Sequence, residues 1–432
     1  MRRAVKVETF APSAEAITAE EFAAWMKPLA PAQRLGIAVS GGPDSMALAF
    51  CAKRWADAHQ AELMAFIVDH GLRPESAYEA EETRTRLKAI GISSEILCWE
   101  HPPIIARLHI TARRARYRLL AEACARNRVG DLLLGHQRED QAETILMRLA
   151  KGSGVDGLAG MRAVTMKDGI RLLRPLLSVP RERLAATCHA ARLPFIKDPA
   201  NRSEKFARGR LRRILPLLAE EGLTVERLSD LGARAAEAKD TLDHYTRLFL
   251  QEATHRDAAG TIRIAFDKFH ALPAAIAQRA LITCLQDINA QDYAPEYASL
   301  VRLIEALGTE DMTPSTLHGC LISRTSSEIT LVREYAAITD VPEIQADEEV
   351  IWDGRWKITL QEKGVFTLRP LGNPPHEALD RLAPGLRQRI SQGRARASLP
   401  ALWRGENLTL VPSLISENSP AYARLVRAWP PQ

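Results

Sequence analysis

The sequence predicts an α/β fold that begins with a doubly wound parallel sheet, followed by a mainly helical domain and a small α+β domain. Two observations predict the sheet. Short apolar runs alternate with helical patterns from about Leu35 to Leu134, and this alternation is typical of parallel strands connected by helices. Polar clusters also follow three of these runs, and open parallel sheets bind ligands at the carboxyl ends of their strands.

Length and composition limit the classes of protein. A chain of 432 residues is too long for one core, so we expect two or three domains. The apolar and charged contents of 46% and 26% are those of a globular protein, and no apolar run approaches the length of a membrane span. The six cysteines are scattered without a C-x-x-C pair, which favours a reducing, cytoplasmic location.

Breaks in the pattern predict the domain organisation. The start of the chain has basic residues without the apolar core of a signal peptide, and it predicts a loose arm. The acidic, proline-containing stretch "TDVPEIQADEE" predicts a linker. We expect an N-terminal arm (1–33), the sheet domain (34–216), a mainly helical domain with a short terminal strand pair (217–338), the linker (339–349) and a small C-terminal domain (350–432).

The first strand leads into a glycine turn. "LGIAV" (Leu35 to Val39) predicts a buried strand, and a helical pattern starts at Asp44. Between them, "SGGPDS" places glycines and hydroxyls at a helix N-terminus, which suits a phosphate group. Asp44 would repel a bare phosphate, so we infer a magnesium nucleotide with Asp44 at the metal. An ordinary left-handed turn with a capping residue is the alternative. The binding residues predicted here are Ser40, Gly41, Gly42, Pro43, Asp44 and Ser45.

Three further strands follow in the pattern. They are "LMAFIVD" (Leu63 to Asp69), "SSEILCW" (Ser93 to Trp99) and "DLLLG" (Asp131 to Gly135). After the fourth strand, "HQREDQAET" places Asp140 and Glu143 on one helix face. Like charges at this spacing repel unless a cation, either a metal ion or an ammonium group, lies between them. An acidic first turn that complements the helix dipole is the alternative.

Basic residues are concentrated although the net charge is only +5. Such dense, unpaired runs suit a phosphate backbone or a triphosphate, and a solvated basic face is the alternative. A third scatter of arginines beside Trp403 suggests a second RNA contact. The first two groups are Arg107, Arg113, Arg114, Arg116 and Arg118, and then Arg202, Lys205, Arg208, Arg210, Arg212 and Arg213.

With these motifs in view, the chain resembles the ATP-pyrophosphatase (PP-loop) family and, within it, the tRNA(Ile)-lysidine synthetases. The matches run in family order over about Leu35 to Pro216, and looser ones, "LHGCLISR", "LRPLG" and "SLPALW", extend over nearly the whole chain. The specific matches are "SGGPDS", "DHGLRPES", "ARRARYRLL", "GHQREDQAETILMRLAKGSGVDGLAGM", "RPLL" and "DPANRSEKFARGRLRR".

The resemblance implies a reaction and its substrates. ATP, with Mg²⁺, would adenylate the C2 oxygen of the wobble cytidine in the CAU anticodon of tRNA(Ile), and L-lysine would then displace AMP. The sheet domain would carry this chemistry, and the two later domains would bind tRNA. No membrane contact is implied, and the oligomeric state stays open.

The resemblance also implies residue roles. Which of Asp140 and Glu143 acts as a base and which holds the ammonium group stays open. The implied catalytic residues are Asp44, Asp140, Glu143 and Arg113, the lysine-binding residues are Asp140, Glu143 and His136, and the tRNA- or phosphate-binding residues are Arg73, Arg116, Arg208 and Arg212.

The chain departs from the family pattern at two positions, and three other functions compete. Glu139 stands at the first acidic place of the usual His-x-Asp-Asp, and Gly209 stands in place of an asparagine. A tRNA thiolase of the same family would use paired cysteines, which the chain lacks. An amidating ligase would need an ammonia source and leaves the basic runs unexplained. A non-catalytic RNA-binding module would be expected to lose Asp44, Asp140 and Glu143.

Overall fold

The computed structural model describes residues 14–101, 108–196, 207–309, 312–390, 392–414 and 419–431. The chain forms two compact units that divide after Lys239. The finer domain boundaries expected from the sequence stay predictions.

The first unit contains the predicted sheet. Its strand order is β3-β2-β1-β4-β6-β5, with β5 antiparallel to β6 and the other neighbours parallel. The predicted α/β fold and the four predicted strands are confirmed, and the β5–β6 hairpin is an addition. The strands are β1 (Arg34–Ala38), β2 (Glu62–Asp69), β3 (Ser93–Cys98), β4 (Asp131–Leu134), β5 (Val164–Lys167) and β6 (Ile170–Leu173).

Helices cover both faces of this sheet. One apolar cluster joins buried residues of α1, α2 and α7 to the sheet, and a second joins those of α4 to the opposite face. The helices of this part of the chain are α1 (Ala19–Met26), α2 (Pro43–His59), α3 (Ser76–Ala89), α4 (Leu108–Arg126), α5 (Arg138–Leu149), α6 (Val155–Leu158), α7 (Arg181–Ala190), α8 (Ala207–Glu220) and α9 (Val225–Ala253).

The strand register brings the functional loops to one edge. Ala38, the last residue of β1, lies opposite Phe66 of β2 and Leu134 of β4. The loops that follow these three strands therefore leave the sheet side by side, as expected for parallel strands. Gly36 permits the close approach within this sheet, because a Cβ atom there would lie 2.9 Å from the Phe66 ring.

The prediction of a loose N-terminal arm is wrong for its described part. Residues 1–13 lie outside the described residues. Helix α1 begins with a reciprocal capping box between Thr18 and Glu21. Phe22 and Met26 are then buried in the same apolar cluster as α2. Two apolar residues four apart form a helical face, and that face covers the sheet domain.

The second unit begins with helices and a five-stranded antiparallel sheet, ordered β7-β8-β11-β10-β9. The sequence predicted only a terminal strand pair here, because the added strands are three or four residues long and lie beside helical patterns. The elements are β7 (Thr254–Arg256), β8 (Ile262–Ala265), α10 (Phe266–His270), α11 (Ala274–Asn289), α12 (Tyr297–Leu307), β9 (Ser315–Leu317), β10 (Cys320–Arg324) and β11 (Glu328–Arg333).

The end of the chain forms two smaller sheets, ordered β12-β15-β16-β17 and β13-β14-β18. Residues 343–345, expected within a linker, form strand β12, because fully buried Ile344 alternates with exposed acidic and amide neighbours and pairs with Phe366. The elements are β12 (Glu343–Gln345), β13 (Glu349–Trp352), β14 (Trp356–Leu360), β15 (Val365–Pro370), α13 (His376–Leu382), α14 (Leu386–Arg389), α15 (Gly393–Ala397), β16 (Pro400–Arg404), β17 (Asn407–Leu410) and β18 (Ala421–Leu425).

Within the described part of the chain, we find no helix with the length and apolar character that crossing a membrane requires.

Candidate active site

The glycine turn lies at the end of β1 and starts α2. Gly41 adopts a left-handed φ of +80°, and a Cβ atom there would lie 2.4 Å from the Thr83 hydroxyl. The Ser45 hydroxyl donates a hydrogen bond to the Gly42 carbonyl at 3.0 Å and accepts one from the Ser40 amide at 3.2 Å. The turn is thus held by its own serine. The first amides of α2 have no acceptor within the helix, and they lie just after the carboxyl end of β1.

Asp44 lies in the first turn of α2 and is largely buried. Its burial raises the pKa to about 6, an effect that Arg181 opposes and that nearby Asp140 reinforces. One of its carboxylate oxygens, Oδ1, is buried without a hydrogen-bond partner. A buried carboxylate with an unused oxygen is suited to bind a cation.

The start of α5 fixes the orientation of Asp140. The Gln137 side chain accepts hydrogen bonds from the amides of Glu139, at 2.6 Å, and Asp140, at 3.3 Å. In return, Asp140 Oδ2 accepts a hydrogen bond from the Gln137 amide at 3.3 Å. This capping box occupies one oxygen of Asp140, while Oδ1 faces the guanidinium groups of Arg181 and Arg212.

Glu143 is fully buried one turn further along α5. The Nε atom of Arg212, on α8, donates to Glu143 Oε1 at 2.5 Å, and its Nη2 atom lies 3.6 Å from Asp140 Oδ1. Arg208 lies one turn earlier on α8, 4.0 Å from Glu143 Oε2. Burial raises the pKa of Glu143, and the bond from Arg212 opposes this. The two predicted acids and two predicted arginines therefore form one cluster.

Sequence reasoning missed Arg181, the first residue of α7. Its Nε atom lies 3.7 Å from Asp44 Oδ2, and its Nη2 atom lies 3.8 Å from Asp140 Oδ1. Its backbone amide donates to Glu139 Oε2 at 3.0 Å. Glu139, at the departure from the family pattern, therefore caps α7. No local sequence signal marks Arg181, because its partners come from two other helices.

His136 follows β4 and is buried among cations. Burial, together with the charges of Arg174, Arg116, Arg208 and Arg113, lowers its pKa to about 3. Its Nδ1 atom is buried without a hydrogen-bond partner. His136 is therefore a neutral imidazole at physiological pH, available as a hydrogen-bonding group but not as a cation.

A cavity of about 1090 Å³ lies beside these arginines. Tyr117 in its wall is contacted by Arg113 and Lys167, which lie 5.1 and 5.4 Å from the ring centre. A polyanion is the ligand that such a lining favours. Among the described residues, the only acid in the wall is Asp156, and the basic residues are Arg113, Arg114, Arg148, Arg162, Lys167, Arg174 and Arg208.

The remaining predicted positions are Arg116, whose charge reaches His136, and residues that lie elsewhere. Arg73 follows β2 and pairs with Glu79 of α3 at 2.7 Å. Arg116 is half-buried on α4. Arg107, Arg202 and Lys205 lie outside the described residues. In the second unit, Arg404 stacks on Phe366 at 4.4 Å, and Arg387 pairs with Asp380 at 3.0 Å.

Comparisons with known proteins agree with this arrangement. Residues 14–218 match the PP-loop domain family. A tRNA(Ile)-lysidine synthase of Ruegeria pomeroyi is 36% identical over 88% of this chain and 89% of its own. A tRNA(Ile)-lysidine synthase of Wolbachia pipientis is 35% identical over 76% of this chain and 77% of its own. One of Methylobacterium nodulans is 38% identical over 74% of this chain and 97% of its own.

Among solved structures, a U34-tRNA thiolase of Methanococcus maripaludis is similar with a TM-score of 0.43 and 17% identity, covering 52% of this chain and 79% of that one. The family follows from the sequence relatives, since their identity exceeds a third over most of both chains. The chain belongs to the tRNA(Ile)-lysidine synthase family of PP-loop proteins.

Proposed function

We propose that this chain ligates L-lysine to C2 of the wobble cytidine in the CAU anticodon of tRNA(Ile), at the expense of ATP. One observation carries the proposal. The glycine turn with Asp44 and the arginine-bound pair of Asp140 and Glu143 follow adjacent strands and meet at one sheet edge. A phosphate site and an ammonium site are thus neighbours, as a two-step ligation requires.

In the first step, the C2 oxygen of the cytidine attacks the α-phosphate of ATP, and pyrophosphate leaves. The glycine turn would hold the phosphates through the α2 amides and the hydroxyls of Ser40 and Ser45. The leaving pyrophosphate carries negative charge, which the surrounding guanidinium groups stabilise. Arg113, beside the basic cavity, is the catalytic arginine of this proposal.

Mg²⁺ fits the site through Asp44, whose Oδ1 atom is buried without a partner. A bound Mg²⁺ supplies charge neutralisation for the phosphates. The described residues contain no group of three or more His, Cys, Asp or Glu side chains arranged to hold a metal ion. Phosphate oxygens and water would therefore complete the coordination, which is the usual arrangement for Mg²⁺ with a nucleotide.

In the second step, the ε-amine of lysine attacks C2, the bond from C2 to the adenylated oxygen breaks, and AMP leaves. Asp140 and Glu143 would bind the ammonium group and accept the proton that it must lose. Because His136 is neutral, it adds a hydrogen-bonding group without repelling the ammonium. Glu143 bonds Arg212 in this structure, so lysine binding at Glu143 requires Arg212 to yield part of that contact.

The tRNA would contact the basic surface near the site. Arg73, Arg116, Arg208 and Arg212 are the proposed phosphate contacts, and the cavity walled by α4 and α8 would admit the anticodon nucleotides. We further propose residues 34–216 as the adenylating domain, with residues 217–338 and 350–432 binding tRNA.

The thiolase alternative is disfavoured by the state of the thiols. Burial raises the pKa of Cys51, Cys124, Cys188 and Cys320 to about 12. Cys98 is exposed and the other five cysteines are buried. The chain therefore offers one accessible thiol, whereas the paired cysteines of a tRNA thiolase would need two.

The test is incorporation of radiolabelled lysine into an unmodified tRNA(Ile) transcript with a CAU anticodon, with pyrophosphate release followed in parallel. We expect both signals to depend on ATP, Mg²⁺ and Asp44, with Asp44→Ala as the inactive control. Pyrophosphate release without lysine transfer would assign the second step to another nucleophile. Silence in both assays would refute the enzymatic proposal.

A further inference from the structure

The guanidinium of Arg181 lies between the carboxylates of Asp44 and Asp140. In the proposed function, Asp44 binds the metal ion and Asp140 binds the ammonium group. We propose that Arg181 is a positioning residue that changes partners during the reaction cycle. Without ligand it stands in for a cation between Asp44 and Asp140, and when a magnesium nucleotide binds it leaves Asp44 and turns to the phosphates. This inference rests on the proposed function, because it takes Asp44 as the metal ligand.

The distances favour an exchangeable contact. The guanidinium nitrogens of Arg181 lie 3.7 Å from Asp44 and 3.8 Å from Asp140. These separations are within ion-pair range but exceed the 2.7–3.2 Å of a hydrogen bond. Asp44 Oδ1 keeps no hydrogen-bond partner despite this neighbour. Arg181 therefore offsets the negative charge of Asp44 and leaves its Oδ1 atom without a hydrogen bond.

The backbone of Arg181 is fixed, whereas its side chain is able to turn. Glu139 accepts a hydrogen bond from the Arg181 amide, which sets the start of α7. Helix α7 also packs against α2, where the Cys188 thiol donates to the Pro43 carbonyl at 3.4 Å. The Arg181 side chain keeps 34% of its surface exposed. A change of partner therefore needs only rotation of this side chain, while its anchor stays beside the glycine turn.

The change of partner by Arg181 couples binding of the metal ion to binding of the nucleotide. A divalent cation on Asp44 and a guanidinium 3.7 Å from the same carboxylate repel each other. Arg181 thus weakens binding of a bare metal ion. Phosphates that arrive with the metal give the guanidinium a new partner, so the nucleotide and the metal favour each other's binding.

Mn²⁺ binding without nucleotide, measured by electron paramagnetic resonance, tests this directly. We expect Arg181→Met to bind Mn²⁺ about tenfold more tightly than the unmodified chain, because the competing charge is gone. In pyrophosphate release, the same variant should show a KM for MgATP raised about tenfold. Arg181→Lys keeps the charge but not the planar guanidinium. Its Mn²⁺ affinity and its KM for MgATP should therefore lie between those of the unmodified chain and of Arg181→Met.

The matched control is Arg183→Met. Arg183 lies two residues along α7 and pairs with Glu21 of α1 at 2.7 Å, so this variant should leave both constants unchanged. A purely structural role for Arg181 would weaken binding of the metal and the nucleotide together. The proposal is overturned if Arg181→Met shows no gain in Mn²⁺ affinity, including the case in which neither protein binds Mn²⁺ detectably. The Mn²⁺ comparison does not depend on turnover, so it is decided even if the chain proves inactive with tRNA.

Discussion

Replacing Asp44 by asparagine should make the protein more stable and inactive at the same time. Asparagine has nearly the same shape as aspartate but carries no charge. Burial raises the pKa of Asp44 from 3.8 to about 6, so the folded chain holds the ionised carboxylate less favourably than the unfolded chain does. The stability that protonated Asp44 gives is present below pH 3.8 and is lost as the pH rises through 6.

The size of the effect follows from the two pKa values. Above pH 6, their difference corresponds to about 3 kcal/mol of the free energy of unfolding, and at pH 5 the same relation gives about 1.6 kcal/mol. These are upper values, because 27% of the Asp44 side chain is exposed and water screens its charge in part. Asp44→Asn should therefore gain up to about 3 kcal/mol at pH 7.5 and about half of that at pH 5.

The assay is urea-induced unfolding of both proteins at the two pH values, with pyrophosphate release measured on the same samples. Asp57→Asn is the matched control, because Asp57 lies in the same helix with 62% of its side chain exposed. The control should change stability by less than about 0.5 kcal/mol at either pH. The prediction is contradicted if Asp44→Asn lowers the free energy of unfolding. It is also contradicted if the gain in that free energy is no smaller at pH 5 than at pH 7.5.

Three further substitutions test the rest of the site. Arg212→Met removes the bond to buried Glu143, so it should lower the free energy of unfolding by about 3 kcal/mol. It should also abolish lysine transfer, because Arg212 is a proposed phosphate contact and because it opposes the burial that raises the pKa of Glu143. Unfolding and label incorporation check this, and an active variant would contradict it. Gly41→Ala should lower the free energy of unfolding by about 1–3 kcal/mol and raise the KM for ATP, because the left-handed turn and the Thr83 hydroxyl exclude a methyl group. Unchanged ATP kinetics would contradict this. Glu139→Ala should lower the free energy of unfolding by about 1 kcal/mol, because α7 loses its cap, and should keep most of the rate of pyrophosphate release. Complete loss of pyrophosphate release would instead indicate that Glu139 is catalytic.

The sequence predicted the parallel strands because short apolar runs alternate with helical patterns and polar clusters follow three of these runs. It missed the hairpin of β5 and β6, whose outer strand is mostly exposed. A signal for it was present: Asp168 and Gly169, both at positive φ, form the two-residue turn between them. An Asp-Gly pair between short strands is a strong hairpin signal.

The site, like the sheet, was predicted from the sequence only in part. Asp140 and Glu143 were predicted because helical spacing alone places them on one face. The partnership of Glu143 with Arg212 was beyond prediction, because 69 residues separate them and only the packing of α5 against α8 joins them. Burial also changes the chemistry of single residues. Nothing in the sequence distinguishes His136 from any other histidine, but burial, together with the surrounding arginines, lowers its pKa and keeps it neutral.

The proposed ligation is tested most directly by mass analysis of nucleosides from a tRNA(Ile) transcript treated with the chain, ATP, Mg²⁺ and lysine. We expect the wobble cytidine, and no other cytidine, to gain the mass of lysine less one water. A transcript with uridine at that position should stay unchanged. An unmodified wobble cytidine in the presence of active, ATP-cleaving protein would show that the chain does not form lysidine.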